Sequence, residues 1–172
     1  MFKNTIFRRM TALVLTLALA AAAALPGLAV YPMPIQTASE TEAVYLFNAD
    51  TGKTILNQNA DQQQYVASLT KLMTALLLLE SGKDLNGEVT VPTALTQEFR
   101  DIQNANGTTM GLRIGETVRR IDLLNAMLIV SANDAASVIA YDVGGSVLDF
   151  VKQMNARAQE LGCTGTNFTC AH

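Results

Sequence analysis

Val66-Ala67-Ser68-Leu69-Thr70-Lys71-Leu72-Met73-Thr74-Ala75 opens the segment of the chain that says most about it. Leu69, Leu72, Met73, Leu76 and Leu79 recur at helical spacing, and Gly82 closes the run. The pattern predicts a helix that starts near Ser68. Positions three apart share one helix face, so the Ser68 hydroxyl and the Lys71 amine come within reach of each other. Free backbone N–H groups and the helix dipole at that end favour negative charge on a reacting oxygen. Serine is a weak nucleophile without a neighbouring base, and a buried lysine can lose its proton near neutral pH and act as one. Taken alone, an N-capping serine and a solvated helix lysine account for the same residues.

Downstream, Ile121, Leu124, Met127 and Leu128 give a second helical pattern that stops at Ser131-Ala132-Asn133. A polar tripeptide between two apolar helices faces whatever cleft separates them. Its hydroxyl can shuttle a proton to a leaving amine, and its carboxamide can orient a substrate amide or the lysine. Turn geometry alone also favours Ser and Asn there. Asp134 is expected to N-cap a helix ending at Gly144-Gly145. Ser146, with Asp149 three residues on, forms a capping box for a further helix that closes at Gly162.

Upstream, Ala43-Val44-Tyr45-Leu46-Phe47, the turn Asp50-Thr51-Gly52-Lys53 and Thr54-Ile55-Leu56 predict a β-hairpin. Its strands are apolar on both faces, as in a covered sheet, and a two-stranded hairpin is not stable alone. Residues 88–119 are mixed, with Val89-Thr90-Val91-Pro92 and Arg113-Ile114-Gly115-Glu116 as short strands or turns around a polar loop.

With 49% hydrophobic residues among 172, the composition is globular. The formal charge of −3 and the lack of a Lys/Arg cluster outside the first ten residues argue against nucleic acid as a partner. Lys3, Arg8 and Arg9 precede the uncharged stretch Thr11 to Val30, broken by Pro26-Gly27, which reads as a secretory signal peptide over 1–29. A retained transmembrane anchor is the rival reading. Residues 30–41 form a leader. Cys163 and Cys170 read as isolated structural cysteines. A disulfide is chemically open to an exported chain, whereas two thiols and His172 match no common zinc spacing.

Ser-x-x-Lys at 68–71 followed by Ser-x-Asn at 131–133 is an ordered pair of active-site motifs. The words around them, with Asp50-Thr51-Gly52-Lys53, Gly111-Leu112-Arg113-Ile114-Gly115-Glu116 and Asn155 to Phe168, resemble the low-molecular-mass penicillin-binding proteins that are serine-type D-alanyl-D-alanine carboxypeptidases. The resemblance covers roughly residues 40–172. It implies an α/β (α+β) fold of the β-lactamase/transpeptidase type, represented by an N-terminal hairpin and the helical part, with 42–172 as the N-terminal part of the catalytic domain. It implies Ser68 as the acylated nucleophile, its N–H as one oxyanion donor, Lys71 as general base, Ser131 as proton relay to the departing D-alanine and Asn133 as a site-supporting or substrate-binding residue. The partners implied are the D-Ala-D-Ala end of the peptidoglycan stem peptide and, as covalent inhibitors, β-lactams. No cofactor and no metal are called for.

The family's third motif, K-T-G, does not follow Asn133, and the only later lysine, Lys152, falls in a helical pattern. The sequence is therefore expected to be an incomplete piece, inactive and poorly folded alone. Any membrane-attaching C-terminal segment would lie past His172. A serine β-lactamase is the enzymatic rival, although Ala132 stands where class A enzymes carry Asp, and Glu160 sits in a helical pattern. A catalytically dead peptidoglycan-binding module is the non-enzymatic one. The chain is expected to be exported, to the extracellular face of the cytoplasmic membrane or to the periplasm or cell wall.

Overall fold

The computed structural model describes Ser39 and residues 41–172. The expected signal peptide and nearly all of the 30–41 leader lie outside the described residues. Two compact units divide between Asn59 and Ala60.

The first unit holds an antiparallel hairpin of β1 (Val44–Asn48) and β2 (Lys53–Gln58). Asn48 Oδ1 accepts from Thr51 N at 2.9 Å, and Gly52 adopts the left-handed φ of +67° that the turn requires. A bulge falls between Leu46 and Phe47. Tyr45, Leu46, Phe47 and Ile55 are exposed, so the covered sheet expected from their apolarity is not formed by the described residues.

The second unit is built around helices. A 3-10 turn (Ala67–Leu69) leads into α1 (Thr70–Glu80). β3 (Glu88–Thr90) pairs antiparallel with β4 (Thr117–Arg119), and between them lies α2 (Thr96–Asn104). The α2 helix departs from the polar loop expected there. Only Phe99 and Ile102 supply its apolar stripe, and Ile102 is buried. Next come α3 (Arg120–Ile129), α4 (Asn133–Gly144) and α5 (Val147–Glu160).

The α4 helix is the hub. Residues 134 to 140 are all buried, as befits a helix covered on every side. Around it Leu78 of α1, Leu123 and Met127 of α3, and Val138 and Ile139 of α4 itself form one core cluster, all at most 1% exposed. Ala140, Phe150, Met154 and Ala171 form a second.

Helix ends follow the sequence at α5, where Ser146 Oγ accepts from Asp149 N at 3.0 Å, and at Gly145 and Gly162, both with positive φ. They do not at α4. Ala132 is the cap residue there, and Asp134 lies inside the first turn with its carboxylate bonded elsewhere. The last residues are tied down by side chains. Asn155 exchanges two hydrogen bonds with the Phe168 backbone, and Thr74 Oγ1 donates to Ala171 O at 2.6 Å. Cys163 and Cys170 are both free thiols. The Cys170 thiol donates to His172 O, and His172 Nε2 lies 3.4 Å from Glu98 Oε1. Among the described residues no helix is long and apolar enough to cross a membrane.

Candidate active site

Ser68 lies in the 3-10 turn just ahead of α1, as the apolar period indicated, and it is exposed. Lys71 stands in the first turn of α1 and is only 3% exposed. Ser131 sits in the short link between α3 and α4. The structure brings the three together. Ser131 Oγ donates to Ser68 Oγ at 2.8 Å, and Lys71 Nζ donates to Ser131 Oγ at 3.1 Å and to Ser68 Oγ at 3.3 Å. The backbone is strained at one corner of this triangle and immediately before another. Ala67, immediately before Ser68, has φ +46°, and Ser131 has φ +61°. Left-handed conformations at non-glycine residues cost about 1–3 kcal/mol each and persist where the surrounding fold imposes them.

The electrostatics suit proton transfer. Burial pulls the pKa of Lys71 below the ordinary lysine value, a shift the nearby Cys170 sulfur partly opposes. An amine that sheds its proton more readily, within hydrogen-bond reach of an exposed hydroxyl, is the arrangement that activates a serine. The Ser131 hydroxyl, bonded to both, offers a second path for the same proton.

Asn133, the first residue of α4, is half-buried, and its backbone N–H donates to Thr108 O at 2.8 Å. Its carboxamide makes no hydrogen bond to Lys71 or to either serine. Lys152 is exposed on α5 and paired with Asp149 at 2.7 Å. Glu160, at the exposed end of α5, is paired with Arg157. Neither is joined to the Ser68 cluster. A cavity of about 500 Å³ runs beside the loop 106–112, lined by Phe99, Gln103, Gly111, Leu112 and Asp134 among others, and neither Ser68 nor Lys71 lines it. The exposed serine beside the buried amine therefore lies apart from this cavity. Among the described residues no cluster of His, Cys, Asp and Glu is arranged to hold a metal ion.

A family model described as D-alanyl-D-alanine carboxypeptidase matches residues 32–172. The chain belongs to the D-alanyl-D-alanine carboxypeptidase family. The D-alanyl-D-alanine carboxypeptidase DacF of Bacillus subtilis is 33% identical over 136 residues, 77% of this chain and 33% of the relative. A D-alanyl-D-alanine endopeptidase of Pseudomonas aeruginosa is 34% identical over 136 residues, 79% of this chain and 42% of the relative. The crystal structure of the Streptomyces K15 DD-transpeptidase superposes with a TM-score of 0.66 at 30% identity, covering 73% of this chain and 50% of that one. The mixed α/β arrangement is thus the DD-peptidase fold, and the chain spans between a third and half the length of these relatives.

Proposed function

We propose that the protein carrying this chain is a serine-type D-Ala-D-Ala carboxypeptidase acting on the peptidoglycan stem peptide outside the cytoplasmic membrane. The observation that supports this reading most is the closed triangle of Ser68, Lys71 and Ser131 in a member of this family. Ser68 Oγ attacks the carbonyl carbon of the penultimate D-alanine while its proton passes to Lys71. The Ser131 hydroxyl then relays a proton to the departing amine, the peptide C–N bond breaks, and terminal D-alanine leaves. The acyl group stays on Ser68 as an ester until water, deprotonated by the same amine, attacks it and frees the shortened peptide. β-Lactams acylate the same oxygen. The Asn133 carboxamide, unengaged by the three groups, is free to hold the substrate's amide.

The test compares D-alanine release from a pentapeptide with turnover of a chromogenic β-lactam, using protein expressed from the complete gene. Release of D-alanine with slow β-lactam turnover supports the reading. Fast β-lactam turnover without D-alanine release makes the protein a β-lactamase, and neither activity makes it a binding module. A cross-linked peptide dimer in the same assay separates carboxypeptidase from endopeptidase, since relatives carry both names.

A further inference from the structure

Asp134 is 2% exposed and has no ion pair among the described residues. A buried carboxylate without a cation is costly unless hydrogen bonds replace its water. Here four backbone N–H groups do so. Oδ1 accepts from Met110 N at 3.0 Å and from Ala135 N at 2.9 Å, and Oδ2 accepts from Gly111 N and Leu112 N, each at 3.0 Å. Gly111, at φ +85°, supplies the left-handed residue that lets three successive amides converge on one carboxylate. The position in the first turn of α4 adds the favourable end of the helix dipole.

Those three amides belong to the loop 107–112, which borders the cavity beside Phe99 and so lacks close packing on that flank. Two more bonds fix its other end: Gly107 N donates to Ile102 O at 2.8 Å, and Thr108 O accepts from Asn133 N at 2.8 Å. Gly107 also lies directly against the Asn133 carboxamide. A Cβ built there would stand 2.7 Å from Asn133 Nδ2 and 3.0 Å from Ile102 Cγ2. The Asn133 side chain has no hydrogen bond of its own among the described residues, so the wall beside it sets where it points.

We propose that Asp134 and Gly107 are positioning residues for Asn133: the carboxylate pins the loop 107–112 to the start of α4, and the bare Cα of Gly107 leaves the space the carboxamide occupies. The proposal rests on the reading of Ser68 as the acylated nucleophile and assigns neither residue a contact with substrate. Asp134→Asn keeps the shape but turns one accepting atom into a donor facing other donors. Gly107→Ala changes one methyl group, at a φ open to alanine, and pushes on Asn133.

The test measures the second-order rate of acylation by a fluorescent penicillin, with the thermal midpoint, in protein from the complete gene. The set is wild type, Ser68→Ala, Asp134→Asn, Gly107→Ala and Asn133→Ala, with the two doubles that combine Asn133→Ala with each loop change. Displacing a substrate-orienting group by about 1 Å lowers rates up to about a hundredfold, so Asp134→Asn and Gly107→Ala should each lose about ten- to a hundredfold. In the Asn133→Ala background each should cost less than about twofold, because its target is gone. A purely structural role would persist in that background at full size and overturn the proposal, as would single variants that acylate within about twofold of wild type. If Asp134→Asn does not fold, the Gly107→Ala pair decides alone. Wild type that acylates while Ser68→Ala does not, together with silent loop variants, sinks this inference and leaves the proposed function standing. Wild type that takes no label overturns both.

Discussion

Replacing Lys71 with methionine keeps an unbranched, largely apolar side chain and deletes the amine that makes two of the three hydrogen bonds in the site, at 3.1 and 3.3 Å. A positioned general base is worth about 10²- to 10⁴-fold in rate, or about 2.7–5.4 kcal/mol at about 1.36 kcal/mol per decade. Acylation by penicillin should fall by that factor. Stability should move the other way or not at all. Lys71 is 3% exposed, so its charged form is penalised by burial, and Ser131 and Ser68 still bond each other at 2.8 Å once the amine is gone.

The pH dependence follows from the same burial. Because the folded pKa of Lys71 lies below the unfolded value, the folded state binds fewer protons between the two. Wild type therefore gains stability as pH rises through that window, and Lys71→Met loses the dependence. The acylation rate should rise with pH around a midpoint below the ordinary lysine value of about 10.4. Stopped-flow acylation and urea unfolding on the same samples read both quantities. Acylation within about threefold of wild type, or a loss that only tracks a fall in unfolding free energy, would refute the role given to the amine.

Ser131→Ala removes the 2.8 Å bond to Ser68 and should slow D-alanine release by about 10²-fold while the protein melts normally, measured by steady-state kinetics and thermal scanning. Asp142 is held by Arg120 at 2.7 and 3.0 Å and by Lys83 at 3.5 Å, and although burial alone would raise its pKa, these cations hold it below the ordinary value. Its stabilisation is therefore present above the unfolded carboxyl pKa of about 3.9 and lost as pH falls through the folded one. Asp142→Asn should cost about 1–3 kcal/mol near neutral pH by urea unfolding, allowing for partial solvent screening, and should flatten that acid limb. Phe150 is fully buried, and Phe150→Ala should cost about 3–5 kcal/mol in the same assay. Gly144→Ala would set a Cβ 2.7 Å from Phe150 Cβ and 2.8 Å from its backbone, and should cost about 1–3 kcal/mol.

What the sequence disclosed was local. The period of Leu69, Leu72, Leu76 and Leu79 placed Ser68 ahead of α1, the Ser146 and Asp149 pair capped α5, and Asp50 to Lys53 turned the hairpin. Spacing alone put Ser68 beside Lys71, but it could not bring Ser131 to them. That depends on α4 packing against α1 and α3, and only the paired motifs suggested it. The α2 helix escaped notice because two apolar residues in nine give too thin a stripe to distinguish from a polar loop. Asp134 was misread for a different reason. An acidic residue before a helical run is an ordinary cap in sequence, and three of the four amides it binds lie more than twenty residues upstream. Gly107 carried no signal in its neighbours, since what it avoids is a side chain 26 positions away.

The proposed chemistry requires that Ser68 Oγ becomes acylated, and mass mapping reads this directly. Trypsin releases Thr54–Lys71, in which Ser68 is the only serine. After brief exposure of protein from the complete gene to benzylpenicillin, this peptide should carry the penicilloyl mass, with fragmentation placing it on Ser68 and nothing on the peptide in Ser68→Ala. An adduct mapped to another residue, or an unmodified peptide at saturating penicillin, would contradict it.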